Sequence, residues 1–133
     1  MNIREYIEEN SYIGDAVIVY YESGYSDIDI NLDLEIDEKD DGEFETSEDY
    51  DAYYEEIETQ KELADKLIEE AEGAYQCDDD GFEDMVNEVY IDPALSGAAD
   101  AERIYRYFDY DKFRDDLLVG DYYYEGGYYF LIN

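Results

Sequence analysis

Basic and metal-binding side chains are scarce in this 133-residue chain, which has no histidine, one cysteine and eight lysines and arginines. Without histidine, the nucleophilic triads of hydrolases lack their usual general base. Structural zinc sites need clusters of cysteine and histidine, which Cys77 alone does not supply. A single cysteine also has no partner for an intrachain disulfide, as is typical of proteins in a reducing cytoplasm. We therefore expect no catalysis, no cofactor and no dedicated metal site.

Long apolar runs and a secretion signal are absent as well. No run approaches the roughly 20 residues that a membrane-spanning helix needs. The first ten residues, MNIREYIEEN, lack the basic start and apolar centre of a signal peptide. Because phosphate groups are bound by lysine and arginine, so few of these residues argue against nucleic acid or an anionic membrane as a direct partner. The expected location is the cytoplasm.

Acidic residues are what the chain has in excess. It contains 41 aspartates and glutamates, and its net charge is −33. High net charge with a mean hydropathy of −0.70 is often a sign of disorder. Disordered acidic segments are poor in aromatic and β-branched residues, however, whereas this chain has 18 tyrosines and 5 phenylalanines. We therefore predict a folded protein with a strongly acidic surface.

Residues 27–37, DIDINLDLEID, alternate between apolar and polar side chains without a fault. This period-2 pattern predicts a β-strand with one face in a core and the other in solvent. The stretch 15–22, DAVIVYYE, is β-branched and aromatic and also predicts a strand. A glycine-containing turn at 22–26 would join the two strands as a hairpin. Nearly every outward position of 27–37 is a carboxylate: Asp27, Asp29, Asp33, Glu35 and Asp37.

Residues 46–73 give the clearest helical pattern. Thr46 or Ser47 can cap the helix, acids follow in its first turn, and Gly73 can end it. Tyrosine, isoleucine, leucine and alanine recur at helical spacing on the face expected to be buried. The opposite face carries Glu55, Glu58, Glu62, Asp65, Glu69 and Glu72.

The rest of the chain predicts shorter elements. Residues 3–13 are expected to form a short helix or an edge segment. Helices are expected at about 82–90, closed by Pro93, with Phe82, Met85, Val86 and Val89 inward, and at about 99–108, with Ala101, Ile104, Tyr105 and Phe108 buried. A fourth helix carries Phe113 and Leu117, and residues 121–133 predict a hairpin turning at Gly126 and Gly127.

These patterns predict an α+β fold with two β-hairpins or small antiparallel sheets and three to four acidic-faced helices. One division of the chain is a hairpin and long helix in residues 1–75, followed by helices and a hairpin in residues 76–133. A single compact domain is the alternative, because 133 residues suffice for one core.

Calcium binding and adaptation to high salt would each account for an acidic surface as well. Calcium binds oxygen ligands, but the EF-hand-like loop beginning at Asp37 has Lys39 at its third position, and the one beginning at Gln76 has Asn87 where glutamate is required. Adaptation to high salt would favour acids over lysine. Although neither loop fits the EF-hand pattern, a halophilic or calcium-binding domain remains an alternative to a partner-binding surface.

The charge density favours imitation of DNA. Duplex DNA carries one negative charge per about 1.7 Å of its axis, so 33 charges correspond to about 56 Å of duplex. A compact domain of this length is only about 35–40 Å across. Its surface charge density therefore rivals that of DNA, and a rigid array of carboxylates could enter a basic DNA-binding groove.

The last third of the chain resembles the C-terminal segment of ArdA-type antirestriction proteins. The resemblance rests on residues 106–133, RYFDYDKFRDDLLVGDYYYEGGYYFLIN, with an aromatic-Asp-Tyr triplet, an Arg-Asp step, a Gly-Asp-Tyr strand and a glycine-rich turn before a final aromatic strand. The matching residues are Phe108, Asp109, Tyr110, Phe113, Arg114, Asp115, Gly120, Asp121, Tyr122, Gly126, Gly127 and Phe130. The resemblance implies an elongated dimer that mimics bent B-form DNA in the groove of a type I restriction–modification enzyme, inside a bacterial host cell.

The sequence thus predicts an inhibitor that occupies a DNA-binding groove through carboxylates that stand in for phosphates. Alternatives are inhibition of a CRISPR effector, whose channel is also basic, and binding of basic nucleoid proteins. Besides the outward acids of residues 27–37 and of the long helix, the resembling segment contributes Asp109, Asp115, Asp116 and Asp121 as candidate contacts.

Overall fold

Helices dominate both halves of the chain in the computed structural model, which describes residues 1–24, 26–95 and 101–132. A small three-stranded antiparallel sheet accompanies them, which confirms the α+β class. The chain divides into two compact units, Met1–Gly73 and Ala74–Asn133. No helix among the described residues combines the length and the apolar character needed to cross a membrane.

The first unit consists of three α-helices and an extended segment, residues 26–40. Its helices are α1 (Ile3–Asn10), α2 (Gly14–Glu22) and α3 (Ser47–Ala74), with a short 3₁₀ turn at Asp41–Glu43. Asn2 caps α1 by accepting a hydrogen bond from the backbone N–H of Glu5. The core is built from the apolar faces of all three helices and of the extended segment: Ile3, Ile7, Ala16, Val17, Ile18, Tyr20, Ile30, Ile36, Ile57, Ala64, Leu67, Ile68 and Ala71.

The hairpin predicted from residues 15–22 and 27–37 is wrong, because residues 15–22 lie in α2. Ala16, Val17 and Ile18 are consecutive and all buried, so α2 is covered on most of its circumference. A fully buried helix and a fully buried strand have the same continuous apolar pattern, and periodicity does not separate them. Here tertiary burial overrides the β-propensity of the branched residues.

Residues 27–37 keep the alternation but not the strand. Ile30 and Ile36 are buried, the intervening acids are exposed, and the pattern of sides is therefore confirmed. Within 27–37, all of whose residues are described, β-pairing is limited to an isolated bridge between Glu35 and Asn2, and residues 32–33 form a turn. Alternation of apolar and polar residues shows which side of a segment is buried. A β-ladder also requires a neighbouring strand, and α2 is a helix.

The long helix is confirmed at Ser47–Ala74, one residue later at each end than predicted. Thr46 accepts a hydrogen bond from the backbone N–H of Asp49, so it caps the helix as expected. Glu48 and Asp49 lie in the first turn, where the helix dipole favours negative charge. Gly73 lies within the helix rather than after it.

The second unit contains a sheet and short helices. In chain order these are β1 (Tyr75–Asp78), α4 (Phe82–Val86), a π-helical segment (Asn87–Ile91), α5 (Asp92–Ala94), α6 (Ala101–Tyr107), α7 (Tyr110–Gly120), β2 (Tyr122–Glu125) and β3 (Tyr128–Leu131). The strand order is β1-β3-β2, and both pairings are antiparallel. The terminal hairpin is therefore confirmed, and Gly126 and Gly127 turn it with φ of +57° and +91°.

Three expectations in the second unit are wrong. Helical structure continues through Pro93 to Ala94 instead of stopping before it. Val89 was expected inward but is 50% exposed, because the wider π-helical turn rotates the face and buries Ile91 in its place. Ile104 was expected to be buried and is 41% exposed, whereas Tyr105 packs against the core as predicted.

Within the sheet, Phe130 of β3 stacks on Tyr123 of β2 with ring centroids 5.0 Å apart. The sheet and the helices of the second unit share a core of Cys77, Phe82, Met85, Val86, Ile91 and Tyr129, in which Phe82 stacks on Tyr129 at 4.7 Å. Phe113 and Leu117 of α7 pack against this core, as expected. The side chain of Ala101 and the start of the predicted helix at 99 lie outside the described residues.

Candidate functional site

The most regular surface feature of the first unit is a line of carboxylates along α3. We call it the acidic stripe, and it consists of Glu48, Asp51, Glu55, Glu58, Glu62, Asp65, Glu69 and Glu72. Successive members are three or four residues apart, which places them on one side of an α-helix. All are exposed except Glu72, which is partly buried.

The acidic stripe has a defined length and pitch. From Glu48 to Glu72 it covers 24 residue steps, or about 36 Å at a helical rise of 1.5 Å per residue. Its eight charges are therefore about 5 Å apart along the axis, against about 3.4 Å per phosphate on one strand of DNA. The stripe thus presents about two thirds of the axial charge density of a single DNA strand, over the length of about one duplex turn.

The stripe points away from the core. The buried face of α3 carries Ile57, Ala64, Leu67, Ile68 and Ala71. At about 100° per residue, the centre of this face lies about 145° from the centre of the stripe. Burial of the apolar face therefore fixes the direction in which the carboxylates project.

Two stripe residues are also bound to α1 and the residue after it. The Tyr6 hydroxyl donates to Asp65 Oδ1 at 2.9 Å, and the Ser11 hydroxyl donates to Glu72 Oε1 at 2.9 Å. Partial burial, followed by the bond to Asp65, raises the pKa of Tyr6. These two hydrogen bonds hold Asp65 and Glu72 in place. Both carboxylates therefore link α3 to α1 and the residue after it, in addition to contributing to the charged surface.

A second acidic row comes from residues 26–40, which we call the extended segment. It runs beside α3 in the opposite direction, as its hydrogen bonds to successive helix positions indicate. These bonds join Ser26 to Glu70, Asn31 to Gln60, and Asp37 to Tyr53. The predicted contacts Asp27, Asp29, Asp33 and Glu35 are all exposed along it. The first unit therefore brings two rows of predicted acids together along one axis.

The extended segment is anchored at the chain start. The N–H of Ile3 bonds to the carbonyl of Leu34 at 3.0 Å, and the N–H of Ile36 bonds to the carbonyl of Met1 at 2.9 Å. The Met1 ammonium donates to Asp37 Oδ1 at 2.7 Å, which raises the pKa of the amine and lowers that of the Asp37 carboxyl. Asp37 is consequently partly neutralised by an ion pair, whereas no described residue forms an ion pair with Asp27, Asp29 or Asp33 earlier in the row.

Negative charge is concentrated in this unit. Residues 1–73 hold 26 of the 41 acidic residues and four of the eight basic residues, which gives them a net charge of −22. Self-repulsion of this size opposes folding. The charged surface is therefore maintained against its cost in stability, which points to a role outside folding.

The remaining predicted acids belong to the second unit. Asp115 and Asp116 are exposed on α7, and Asp121 follows its last residue. Asp109 caps α7 by accepting a hydrogen bond from the N–H of Lys112 at 3.0 Å. Because a cap stabilises the helix on its own, Asp109 needs no partner to explain its presence.

Groups with catalytic or metal-binding potential are few. No cluster of three or more acidic, cysteine or histidine side chains in the described parts of the chain is arranged to hold a metal ion. Cys77 is buried, and burial, followed by the nearby Asp78 and Asp79, raises the pKa of its thiol to about 12. A thiol of this kind stays protonated at neutral pH and is a poor nucleophile.

Sequence reasoning missed part of this surface. Glu48 and Asp51 extend the acidic stripe by two turns, and the same spacing rule identifies them from sequence. Glu70, which accepts a hydrogen bond from the Tyr20 hydroxyl at 2.6 Å, had no local signal. The aromatic side chains at the start of α3 were assigned to packing, although two of them contact Phe44, a loop residue that precedes the helix.

Comparison with known proteins gives no relative: no protein-family model, no curated protein and no solved structure matches this chain.

Proposed function

We propose that this protein inhibits a DNA-binding enzyme of host defence, a type I restriction–modification enzyme in the first instance, by occupying its DNA-binding groove. The resemblance of residues 106–133 to ArdA-type proteins supplies the target class. The proposal needs no reaction and no cofactor, because occupation of the groove excludes DNA. The inhibitor acts in the bacterial cell that contains the enzyme.

The acidic stripe is the observation that carries the proposal. Eight carboxylates at about 5 Å intervals on one helix form a rigid polyanion about one duplex turn long. The extended segment adds a second exposed row beside the same helix. An acidic surface that served only solubility would need neither this register nor a fixed frame.

Binding would be driven by the chemistry that DNA itself uses. When the lysines and arginines of a groove pair with phosphates, the counterions condensed on the DNA are released, and a row of carboxylates at comparable spacing would release its own counterions in the same way. Long-range attraction between opposite charges also speeds the encounter. Carboxylates already fixed by the fold lose little conformational freedom on docking, which improves affinity over a flexible acidic chain.

Displacement of DNA from a purified type I enzyme tests the proposal. The enzyme is loaded with its recognition-site duplex in about 50 mM salt, where contacts between opposite charges are strong. The released duplex is then measured as this protein is added. We expect release at nearly equimolar protein and enzyme, and recovery of the complex when excess duplex is supplied.

Poly-glutamate of matched total charge is the control, because it supplies the carboxylates without the frame. We expect it to release the duplex only at a concentration at least about tenfold higher, since it must lose conformational freedom on docking. If the duplex stays bound at a large molar excess of this protein over enzyme, or if poly-glutamate is equally effective, the proposal is wrong.

A further inference from the structure

The start of α3 and the loop before it carry a closed cycle of four aromatic rings, which we call the aromatic cage: Phe44, Tyr50, Tyr53 and Tyr54. The Phe44 ring lies 5.4 Å from Tyr50 and 5.3 Å from Tyr53, centroid to centroid. Tyr54 closes the cycle at 4.8 Å from Tyr50 and 5.2 Å from Tyr53. All four residues are half-buried, so the cage keeps part of its surface at solvent.

Hydroxyl groups hold the cage in one geometry. The Tyr54 hydroxyl accepts a hydrogen bond from the N–H of Lys39 at 2.8 Å and donates to the carbonyl of the same residue at 3.0 Å. The Tyr53 hydroxyl donates to the carbonyl of Asp37 at 2.8 Å. These bonds fasten the end of the extended segment to α3 through the phenol oxygens and do not involve the ring faces.

A cation already lies on one of these faces. The Lys39 ammonium is 4.7 Å from the centroid of the Tyr53 ring, within the range of a cation–π interaction. The cage is thus an environment in which this protein itself places a positive group. A simple packing cluster would have no such requirement.

Two cavities flank Tyr50. One, of about 380 Å³, is lined by Phe44, Glu45, Thr46, Ser47 and Tyr50. The other is an open depression of about 840 Å³, lined by Glu38, Lys39, Asp40, Gly42, Tyr50 and Tyr54. Both combine an aromatic surface with carboxylates, and aromatic surfaces of this kind recognise organic cations.

The charge around the cage selects the sign of the ligand. Residues 37–51 contain nine acidic residues and one lysine, a net charge of −8 in fifteen residues. An anion would be repelled, and a simple metal ion would gain little from the rings. A planar guanidinium gains from both features, because it stacks on aromatic faces and forms paired hydrogen bonds with carboxylates.

We propose that the aromatic cage binds an arginine side chain of the partner protein, with Lys39 as an internal competitor for the rings. That the arginine belongs to a DNA-binding enzyme rests on the proposed function, whereas binding of the guanidinium group does not. The cage lies beside Glu48 and Asp51, where the acidic stripe begins. One anchored arginine there would set the position of the stripe along a basic groove.

Titration of the full-length protein with N-acetyl-arginine amide tests the cage, with the ring resonances of the four residues followed by NMR. We expect saturable shifts at Phe44 and Tyr50, and binding of N-acetyl-lysine amide about threefold or more weaker, since ammonium does not stack. Sodium chloride at equal ionic strength should give no saturable shift of these rings.

Three variants, each shown by circular dichroism to be folded, distinguish binding in the cage from general electrostatic attraction. Lys39→Gln should tighten arginine amide binding by about two- to fivefold, the size of one exposed cation–π contact. Lys66→Gln is the control, since it removes the same charge from an exposed position of α3. It should leave the affinity of the cage within a factor of about 1.5, because Lys66 and the cage are separated by more than a Debye length. Tyr50→Leu should weaken binding about fivefold or more, since it removes a ring between the two cavities.

Equal effects of the two lysine substitutions would overturn the proposal, because charge alone would then explain binding. Equal affinity for the arginine and lysine amides would overturn the assignment to arginine, and unsaturable shifts would overturn the site. The titration contains no enzyme, so its failure is distinct from a failure to release duplex DNA.

Discussion

Neutralising the acidic stripe abolishes inhibition if the proposed function is right. The variant carries Glu48→Gln, Asp51→Asn, Glu55→Gln, Glu58→Gln, Glu62→Gln and Glu69→Gln, and retains Asp65 and Glu72 because these two accept hydrogen bonds from Tyr6 and Ser11. Six lost phosphate-like contacts should weaken binding to a type I enzyme at least about 100-fold, or about 0.5 kcal/mol for each contact. Release of duplex DNA from the enzyme measures the change.

A matched variant of the second unit controls for total charge. It neutralises six exposed acids outside the predicted surface, Asp80, Glu83, Asp84, Glu88, Asp111 and Glu125. Both variants have six fewer negative charges, so general attraction falls equally. We expect the control to inhibit within about fivefold of the natural chain, since only long-range attraction is reduced. Equal inhibition by the two variants would show that position is irrelevant and that the stripe is not the binding surface.

Unfolding the first unit while keeping every carboxylate should also abolish inhibition. Leu67 is fully buried on the face of α3 opposite the stripe. Leu67→Ala leaves a cavity there and should lower the free energy of unfolding by about 2–5 kcal/mol. Because the first unit already bears a net charge of −22, a loss of this size is expected to unfold it near physiological temperature. Thermal unfolding by circular dichroism and duplex release are measured together.

Thr59→Ala is the control for this substitution, since Thr59 is exposed on the same helix. Its effect on the free energy of unfolding should stay within about 0.5 kcal/mol, and inhibition should be unchanged. Full inhibition by Leu67→Ala at a temperature where its first unit is unfolded would contradict the need for a rigid array. The mechanism would then be that of a flexible polyanion.

Much of the framework follows from local sequence patterns. α3 combines a threonine cap, an acidic first turn and regular apolar spacing along its length, and such long periodic segments are the easiest to predict. The terminal hairpin was predictable because Gly126 and Gly127 take positive φ, which few other residues adopt. The buried and exposed sides of residues 27–37 were likewise predictable from the alternation of apolar and polar residues.

The wrong predictions occur where tertiary contacts, and not local sequence patterns, determine the conformation. The apolar run of 16–20 predicts a strand but forms part of α2, because a buried strand and a buried helix share this pattern. β1 is four residues long and directly follows a helix, so its pairing with the distant β3 leaves no local pattern. Val89 was placed on the wrong side because the π-helical turn shifts the phase of the helix.

The candidate surface was partly predictable for the same reasons. The six acids predicted on α3 lie in one stripe because helical spacing fixes their side, and the exposed row of 27–37 follows from alternation. That the two rows run beside each other depends on hydrogen bonds such as Asn31 to Gln60, 29 residues apart. The aromatic cage depends likewise on Phe44, which lies outside any regular element.

The salt dependence of affinity for a type I enzyme is the most direct test of carboxylates acting as phosphates. Between about 50 and 200 mM salt, the dissociation constant of the natural chain should rise by about 10³-fold or more, as it does for six or more paired phosphates. The six-residue stripe variant should show a log–log slope shallower by about 4, at about 0.7 for each lost contact, because the charge density of the stripe is closer to that of a single strand than to that of the duplex. A slope near zero for the natural chain, or the same slope for both proteins, would contradict the account.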